Sequence, residues 1–319
     1  MRLAIVDDYQ RLVLSSTDWS DVLKRCTIQV FDRRLEVPDE AAKALADFDI
    51  ICLVRERMPV PRALLERLPR LKMICVTGPH NRTLDVAAAA ERGIVVSCTP
   101  NSGRGTIATA ELTWGLILAA MRHIAFEHGR MREGAWQSTV GSILRGRTLG
   151  LLGLGRIGRE VAAMGRSFGM RVQAWSQNMT PQSAAEAGTA YVEKDELFRT
   201  SDVLSIHLVL SERTRALVGA EELAAMKPAA ILVNTARGAI IHTPSLIAAL
   251  SAGRIGGAAI DVYDVEPLPA DHPLRSVPNL VMTPHLGYMT TEVMSHFFQE
   301  TVANVTAFLD GRPIRLLSP

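Results

Sequence analysis

Thr148-Leu-Gly-Leu-Leu-Gly-Leu-Gly-Arg-Ile-Gly158 decides how this chain is read. The apolar run Leu149–Leu152 leads directly into Gly153, Gly155 and Gly158, spaced GxGxxG, and Arg156 to Phe168 then has helical character. Strand, tight turn and helix in that order form a dinucleotide-binding turn. The first glycine permits the turn, the second lets a pyrophosphate approach the backbone, and the third lets helix and strand pack closely. The phosphates are then held by N–H groups at the helix start, near Arg156 and Ile157.

Outward from that turn the chain alternates apolar runs with helix-sized segments. Before it come LAIV, TIQVF, DIICLV, LKMICV and GIVVSC; after it come MRVQAW, VLSIHLVL, AAILVN, GGAAI and LVMT. Such alternation predicts parallel sheets with helical crossovers. A helix-like stretch over 106–122 is apolar around most of its circumference, a polar loop over 133–147 precedes the glycine strand, and 289–309 has helical spacing. The expected fold class is α/β, with two doubly wound parallel-sheet domains.

A length of 319 residues with 48% hydrophobic content suits two domains with substantial cores. The formal charge of +2 comes from 35 basic and 33 acidic residues scattered along the chain, so no field favours nucleic acid or an anionic membrane. MRLAIVDDYQ reads as a first strand and not as a signal peptide, and no apolar run approaches the roughly 20 residues of a membrane span. Cys26, Cys52, Cys75 and Cys98 are widely spaced without a CxxC pair, which predicts reduced thiols in a cytoplasmic protein. His123 and His128 are five apart and HExxH is absent, so no metal is expected.

Three segments follow the carboxyl ends of expected strands: Asn234-Thr235-Ala236-Arg237-Gly238, Asp261-Val262-Tyr263 with Glu266-Pro267, and Thr283-Pro284-His285-Leu286-Gly287. That edge of an open parallel sheet is where ligands bind. Taken singly, Arg237 also reads as a surface cation, Glu266 as a loop carboxylate and His285 as a satisfied loop histidine.

In the order and spacing of GLGRIG, MKPAAILVNTARG, DVYDVEP and TPHLG, the chain resembles the D-isomer-specific 2-hydroxyacid dehydrogenases over nearly its whole length. The resemblance implies a Rossmann-type NAD(P)-binding domain over 103–286, inserted into a discontinuous flavodoxin-like substrate domain over 1–102 and 287–319. It further implies an active site in the cleft and a homodimer built on the cofactor domains. By family role, Arg237 clamps a small 2-oxo or 2-hydroxy acid, His285 exchanges its proton, and Glu266 fixes the histidine tautomer and favours the imidazolium. These residue types suit that chemistry, because imidazole titrates near neutral pH and a guanidinium fork grips carboxylate and carbonyl together.

The same resemblance places Thr235, Ala236, His207 and Gly287 beside the cofactor and carries Asp261 to the nicotinamide carboxamide. Past the second strand, Ser176, Gln177 and Asn178 stand where many members have an acidic residue for the ribose. No carboxylate repels a 2'-phosphate there, so the cofactor reading leans to NADP(H) over NAD(H). The substrate loop resembles Thr77-Gly78-Pro79-His80-Asn81-Arg82, bulkier than the common glycine-rich version, with backbone N–H groups offered to a carboxylate. Arg55 is positioned to meet the far end of an anionic substrate, or to be solvated, and Tyr288 to narrow the pocket. The rival readings are a corepressor-like dinucleotide sensor and a formate dehydrogenase, the latter disfavoured because Glu266 stands in place of that enzyme's glutamine.

Overall fold

The computed structural model describes residues 1–318. Contacts divide them into two compact units, Met1–Arg104 with the segment from Thr290 onward, and Gly105–Met289.

In the first unit five parallel strands, β1 (Arg2–Val6), β2 (Thr27–Val30), β3 (Ile50–Leu53), β4 (Met73–Val76) and β5 (Val95–Cys98), lie in the order β2-β1-β3-β4-β5. This is the flavodoxin-like order, which reverses between β1 and β3. Every residue of β3 and β4 is buried, which is why their sequences are continuous apolar runs without alternation. Helix Thr291–Leu309 packs on β4 and β5. Its Asn304 donates to the Cys98 carbonyl at 2.9 Å and is fixed in turn by Arg315 at 2.8 Å. All four cysteines are free thiols, three of them buried.

The second unit holds β6 (Thr148–Leu152), β7 (Arg171–Trp175), β8 (Ala190–Tyr191), β9 (Val203–Ile206), β10 (Ile231–Asn234), β11 (Gly257–Ile260) and β12 (Leu280–Met282), in the order β12-β11-β10-β9-β6-β7-β8. All neighbours are parallel. Counted from β6 this is the Rossmann order, with the reversal between β6 and β9. The edge strand β8 has only two residues, too short to show a period, and no sequence pattern announced it. Helix Arg104–Met121 buries nine residues, and Trp114 stacks on Phe168 at 4.5 Å. No helix among the described residues is long and apolar enough to cross a membrane.

Each sheet is clamped at the amino ends of its three central strands by one aspartate. Asp49 precedes β3: its carboxylate accepts from the Arg2 N–H at 2.9 Å and faces Lys72 Nζ at 3.2 Å, and its carbonyl accepts from Lys72 N–H at 2.8 Å. Asp202 precedes β9 and does the same for β6 and β10. It accepts from Thr148 N–H at 2.8 Å and Lys227 Nζ at 2.8 Å, and its carbonyl accepts from Ile231 N–H at 3.0 Å. Burial pushes both carboxyls up, but these donors and cations outweigh it, so both lie below the ordinary Asp value.

A depressed carboxyl contributes stability above its unfolded value and loses it as pH falls through the folded value. Asp202→Asn is therefore expected to cost roughly 1–1.5 kcal/mol at neutral pH, low in the range for charged hydrogen bonds because the Lys227 side chain is 38% exposed. Urea midpoints of wild type and variant should differ steadily at neutral pH and converge below the ordinary Asp value of 3.8. An undiminished gap in acid would show that the carboxylate charge is not the clamp.

Candidate active site

The glycine turn after β6 is built by steric exclusion. Gly153 has φ +104°, and a Cβ there would lie 2.9 Å from the His207 carbonyl. A Cβ on Gly158 would collide with the Gly153 carbonyl oxygen, whereas one on Gly155 would meet nothing within 4 Å. Two glycines thus permit the turn and the close packing, and the third leaves an open cradle. Helix Arg156–Ser167 starts at Gly155 without a side-chain cap, so its first N–H groups and helix dipole face that cradle. This fits a dinucleotide pyrophosphate.

His207 ends β9 beneath the turn. Its Nε2 meets Ser205 Oγ at 2.9 Å, and burial pushes its pKa down to about 4, so it is a neutral group near neutral pH. Past β7, Ser176 is half-buried and Gln177 and Asn178 are exposed in a turn closed by Met179 N–H on the Ser176 carbonyl.

His285 leaves β12 with φ +55°, a left-handed conformation unusual for a non-glycine residue. Its Nδ1 lies 2.6 Å from Glu266 Oε2, with both side chains 34% exposed. Glu266 Oε1 accepts from the Tyr263 N–H at 2.9 Å, and the Tyr263 hydroxyl donates to the Thr283 carbonyl at 2.9 Å. The ring of Tyr288 stands edge-on to His285, centroids 5.6 Å apart.

The turn bearing His285 is held by Asp261, which is fully buried. Its carboxylate accepts from Thr283 Oγ1 at 2.6 Å, Leu286 N–H at 2.7 Å and Gly287 N–H at 2.9 Å, and its carbonyl accepts from the His285 N–H at 2.8 Å. Burial nevertheless leaves this carboxyl above the ordinary Asp value. Asp261 thus fixes the turn that carries His285.

Arg237 is half-buried in extended backbone, with Nη1 donating to the Ala236 carbonyl at 2.7 Å. The buried Asn234 side chain shapes this loop by accepting from Ala236 N–H at 3.0 Å and donating to the Arg237 carbonyl at 2.9 Å. A Cβ on Gly238 would collide with the Tyr263 backbone, so the loops after β10 and β11 touch only because that residue is glycine. Helix Arg104–Met121 braces the loops after β10 and β12. Its Thr113 meets Thr235 hydroxyl to hydroxyl at 2.8 Å, and its Thr109 donates to the Gly287 carbonyl at 3.0 Å.

In the first unit, Arg55 leaves β3 with φ +57°. Its N–H donates to Thr77 Oγ1 at 2.7 Å, its Nη1 to the Thr77 carbonyl at 3.1 Å, and its guanidinium lies 5.6 Å from the Phe297 ring centroid. It sits where a Cβ on Gly78 would be. The N–H of Thr77 donates to the Leu53 carbonyl and that of Gly78 to Thr99 Oγ1 at 2.7 Å, while Pro79 has none. Those three positions do not present the row of free N–H groups expected for a carboxylate. His80 is exposed.

Residues 114–287, more than half of the chain, match the family described as D-isomer specific 2-hydroxyacid dehydrogenase, NAD binding domain. The chain is 39% identical over 296 residues to the glyoxylate reductase of Aeropyrum pernix, covering 89% of this chain and 87% of that one. This chain is a D-isomer-specific 2-hydroxyacid dehydrogenase. Hydroxypyruvate reductase of Thermotoga maritima is 37% identical over 283 residues, 87% of this chain and 90% of that one. The crystal structure of phosphoglycerate oxidoreductase from Vibrio cholerae aligns with a TM-score of 0.91 at 37% identity, covering 98% of this chain and 99% of that one. As a member of the family the chain is an oxidoreductase that uses a nicotinamide dinucleotide.

Sequence reasoning about this dehydrogenase missed Thr109 and Thr113, and it gave no role to Asn234, Tyr263 or Thr283 within their motifs. One signal was present for the first two, since Thr109 and Thr113 stand four apart on a helix otherwise dominated by apolar residues. Among the described residues no group of three or more His, Cys, Asp or Glu side chains is placed to hold a metal.

Proposed function

We propose that this dehydrogenase reduces small 2-oxo acids to D-2-hydroxy acids with His285 as the proton donor. The observation that carries the reading is the 2.6 Å contact of His285 Nδ1 with Glu266 at the carboxyl edge of the sheet. Glu266 accepts a hydrogen bond from Nδ1–H, which leaves Nε2–H as the donor for the reacting oxygen. A nicotinamide dinucleotide, its pyrophosphate held at the Gly153–Gly158 turn, would supply the hydride. Arg237 grips the substrate carboxylate and polarises its carbonyl, and Tyr288, edge-on to His285, narrows the pocket. A dinucleotide sensor needs no positioned acid, so the Glu266–His285 contact favours turnover over the corepressor-like alternative.

The absence of a carboxylate at Ser176, Gln177 and Asn178 supports acceptance of NADP(H), and the reduced thiols suit a cytoplasmic location. Helix Ile124–Arg132 has no buried residue, and the segment beyond it exposes Trp136 (75%), Val140 (93%) and Ile143 (73%). A nine-residue helix without a packed face is marginal alone in water, so we assign this arm to a homodimer interface with a second copy of the chain.

Three measurements test these readings. Glu266→Ala removes the acceptor that orients the His285 ring. Reductive kcat/KM is expected to fall by about 10-fold or more, and His285→Ala to lose more, since positioned acid catalysis is worth about 10²- to 10⁴-fold. A Glu266→Ala variant with wild-type kcat/KM would remove Glu266 from the mechanism. For the cofactor, NADPH should be accepted at least as well as NADH, and Ser176→Asp should shift preference to NADH through repulsion of the 2'-phosphate. Unchanged cofactor ratios would sink that assignment. Light scattering on wild type and on the Trp136→Ala, Val140→Asp double variant should give dimer and monomer respectively; a monomeric wild type would refute the interface.

A further inference from the structure

Helix Arg104–Met121 buries two hydroxyl groups one turn apart, those of Thr109 and Thr113, among mostly apolar neighbours. Threonine is a weaker helix former than alanine or leucine, and its hydroxyl needs a partner once buried. Each of the two has a helical carbonyl one turn back within reach, that of Gly105 at 2.8 Å from Thr109 and that of Thr109 at 2.8 Å from Thr113. Each also reaches out of the helix, to a different loop of the second unit.

Thr109 acts on the turn that carries His285. Gly287 is held from two sides: its N–H donates to Asp261 Oδ2 at 2.9 Å, and its carbonyl accepts from Thr109 Oγ1 at 3.0 Å. The fit is close, since a Cβ on Gly287 would lie 3.3 Å from both Asp261 Oδ2 and Thr109 Oγ1. Asp261 fixes the N–H side of this glycine and leaves the rotation of its carbonyl open, and a residue without Cβ does little to restrict that rotation itself. The Thr109 hydroxyl closes that freedom. It thereby sets the direction in which the chain leaves for Tyr288, whose ring stands edge-on to His285.

Thr113 acts on the loop after β10. Its hydroxyl has one proton; given to the Thr109 carbonyl, it leaves the oxygen to accept from Thr235 Oγ1 at 2.8 Å. Thr235 is buried and stands two residues before Arg237. Residues i and i+4 share one face of a helix, so a single rigid element holds the Arg237 loop and the His285 turn at a fixed spacing.

We infer that Thr109 and Thr113 are positioning residues for the reduction, Thr109 through the turn of the proton donor and Thr113 through the loop of the carboxylate clamp. The inference rests on the reductase reading above. The two hydroxyls then have separable kinetic effects: a misoriented acid slows proton transfer and lowers kcat, whereas a displaced clamp loosens the hold on the carboxylate and raises KM.

The test uses whichever of glyoxylate, hydroxypyruvate, pyruvate and 2-oxoglutarate the wild type reduces best, at saturating dinucleotide. It measures kcat, KM and the solvent deuterium isotope effect on kcat for wild type, Thr109→Val, Thr109→Ser, Thr113→Val and Thr113→Ser. Valine keeps the shape without the hydroxyl, and serine keeps the hydroxyl. Thr109→Val should lower kcat by about 10- to 100-fold with a larger solvent isotope effect and little change in KM, within the roughly 10²-fold that a small misplacement costs. Thr113→Val should act chiefly on KM, raising it by about 5-fold or more, the worth of one hydrogen bond. Both serine variants should recover most of the loss. Where a valine variant does not fold, the alanine variant at the same position is read against serine in the same way. A wild-type kcat or an unchanged isotope effect in Thr109→Val, the same kinetic pattern from both valine variants, or serine variants no better than valine overturns the inference and leaves the reductase reading intact. A wild type that reduces none of the four acids overturns both.

Discussion

The turn that carries His285 depends on a buried carboxylate, that of Asp261. Asp261 accepts three hydrogen bonds from the turn at 283–287 and a fourth through its carbonyl from His285 itself. That turn carries a left-handed histidine, a strain on the order of 1–3 kcal/mol. Hydrogen bonds to a charged group contribute about 1.5–3 kcal/mol each, so three of them hold the strained backbone with a margin. The margin matters because Glu266 meets His285 at 2.6 Å, and a relaxed turn would swing the ring away from its partner.

What the amino-acid sequence disclosed follows from how local each requirement is. The roles of Gly153 and Gly158 were legible because a missing Cβ is demanded by neighbours a few residues away. The central strands were legible because burial on both faces forces continuous apolar runs, as in ILVN of β10. Arg237, Glu266 and His285 stood out through the order of their motifs, whereas the hydrogen bonds that Asp261 makes did not. Its carboxylate serves donors that lie 22 to 26 positions further along, and nothing in DVYDVEP says so. Thr109 and Thr113 were hidden for the same reason, since their partners lie 178 and 122 positions away.

The first sheet shows how residue type underdetermines role. Arg55 and Arg57 both follow β3, two positions apart, and as symbols they are equivalent. Their surroundings separate them: one closes down on Thr77 and the Gly78 backbone, and the other lies on Tyr9 beside Asp7. Tertiary context, and not β3 itself, gives the two guanidiniums their different partners.

Asp49 and Asp202 clamp the amino ends of their sheets, while the glycine turn, Arg237, Glu266 and His285 sit on loops at the carboxyl ends. The contacts that hold the strands in register and the candidate site residues therefore occupy opposite ends of the strands, a strand length apart. An evolving lineage can rewrite the loops at the carboxyl ends without unzipping the strand starts that keep each sheet in register. Changes at the two clamps have the opposite character: they alter how much folded protein survives and leave the loops that carry the candidate site in place.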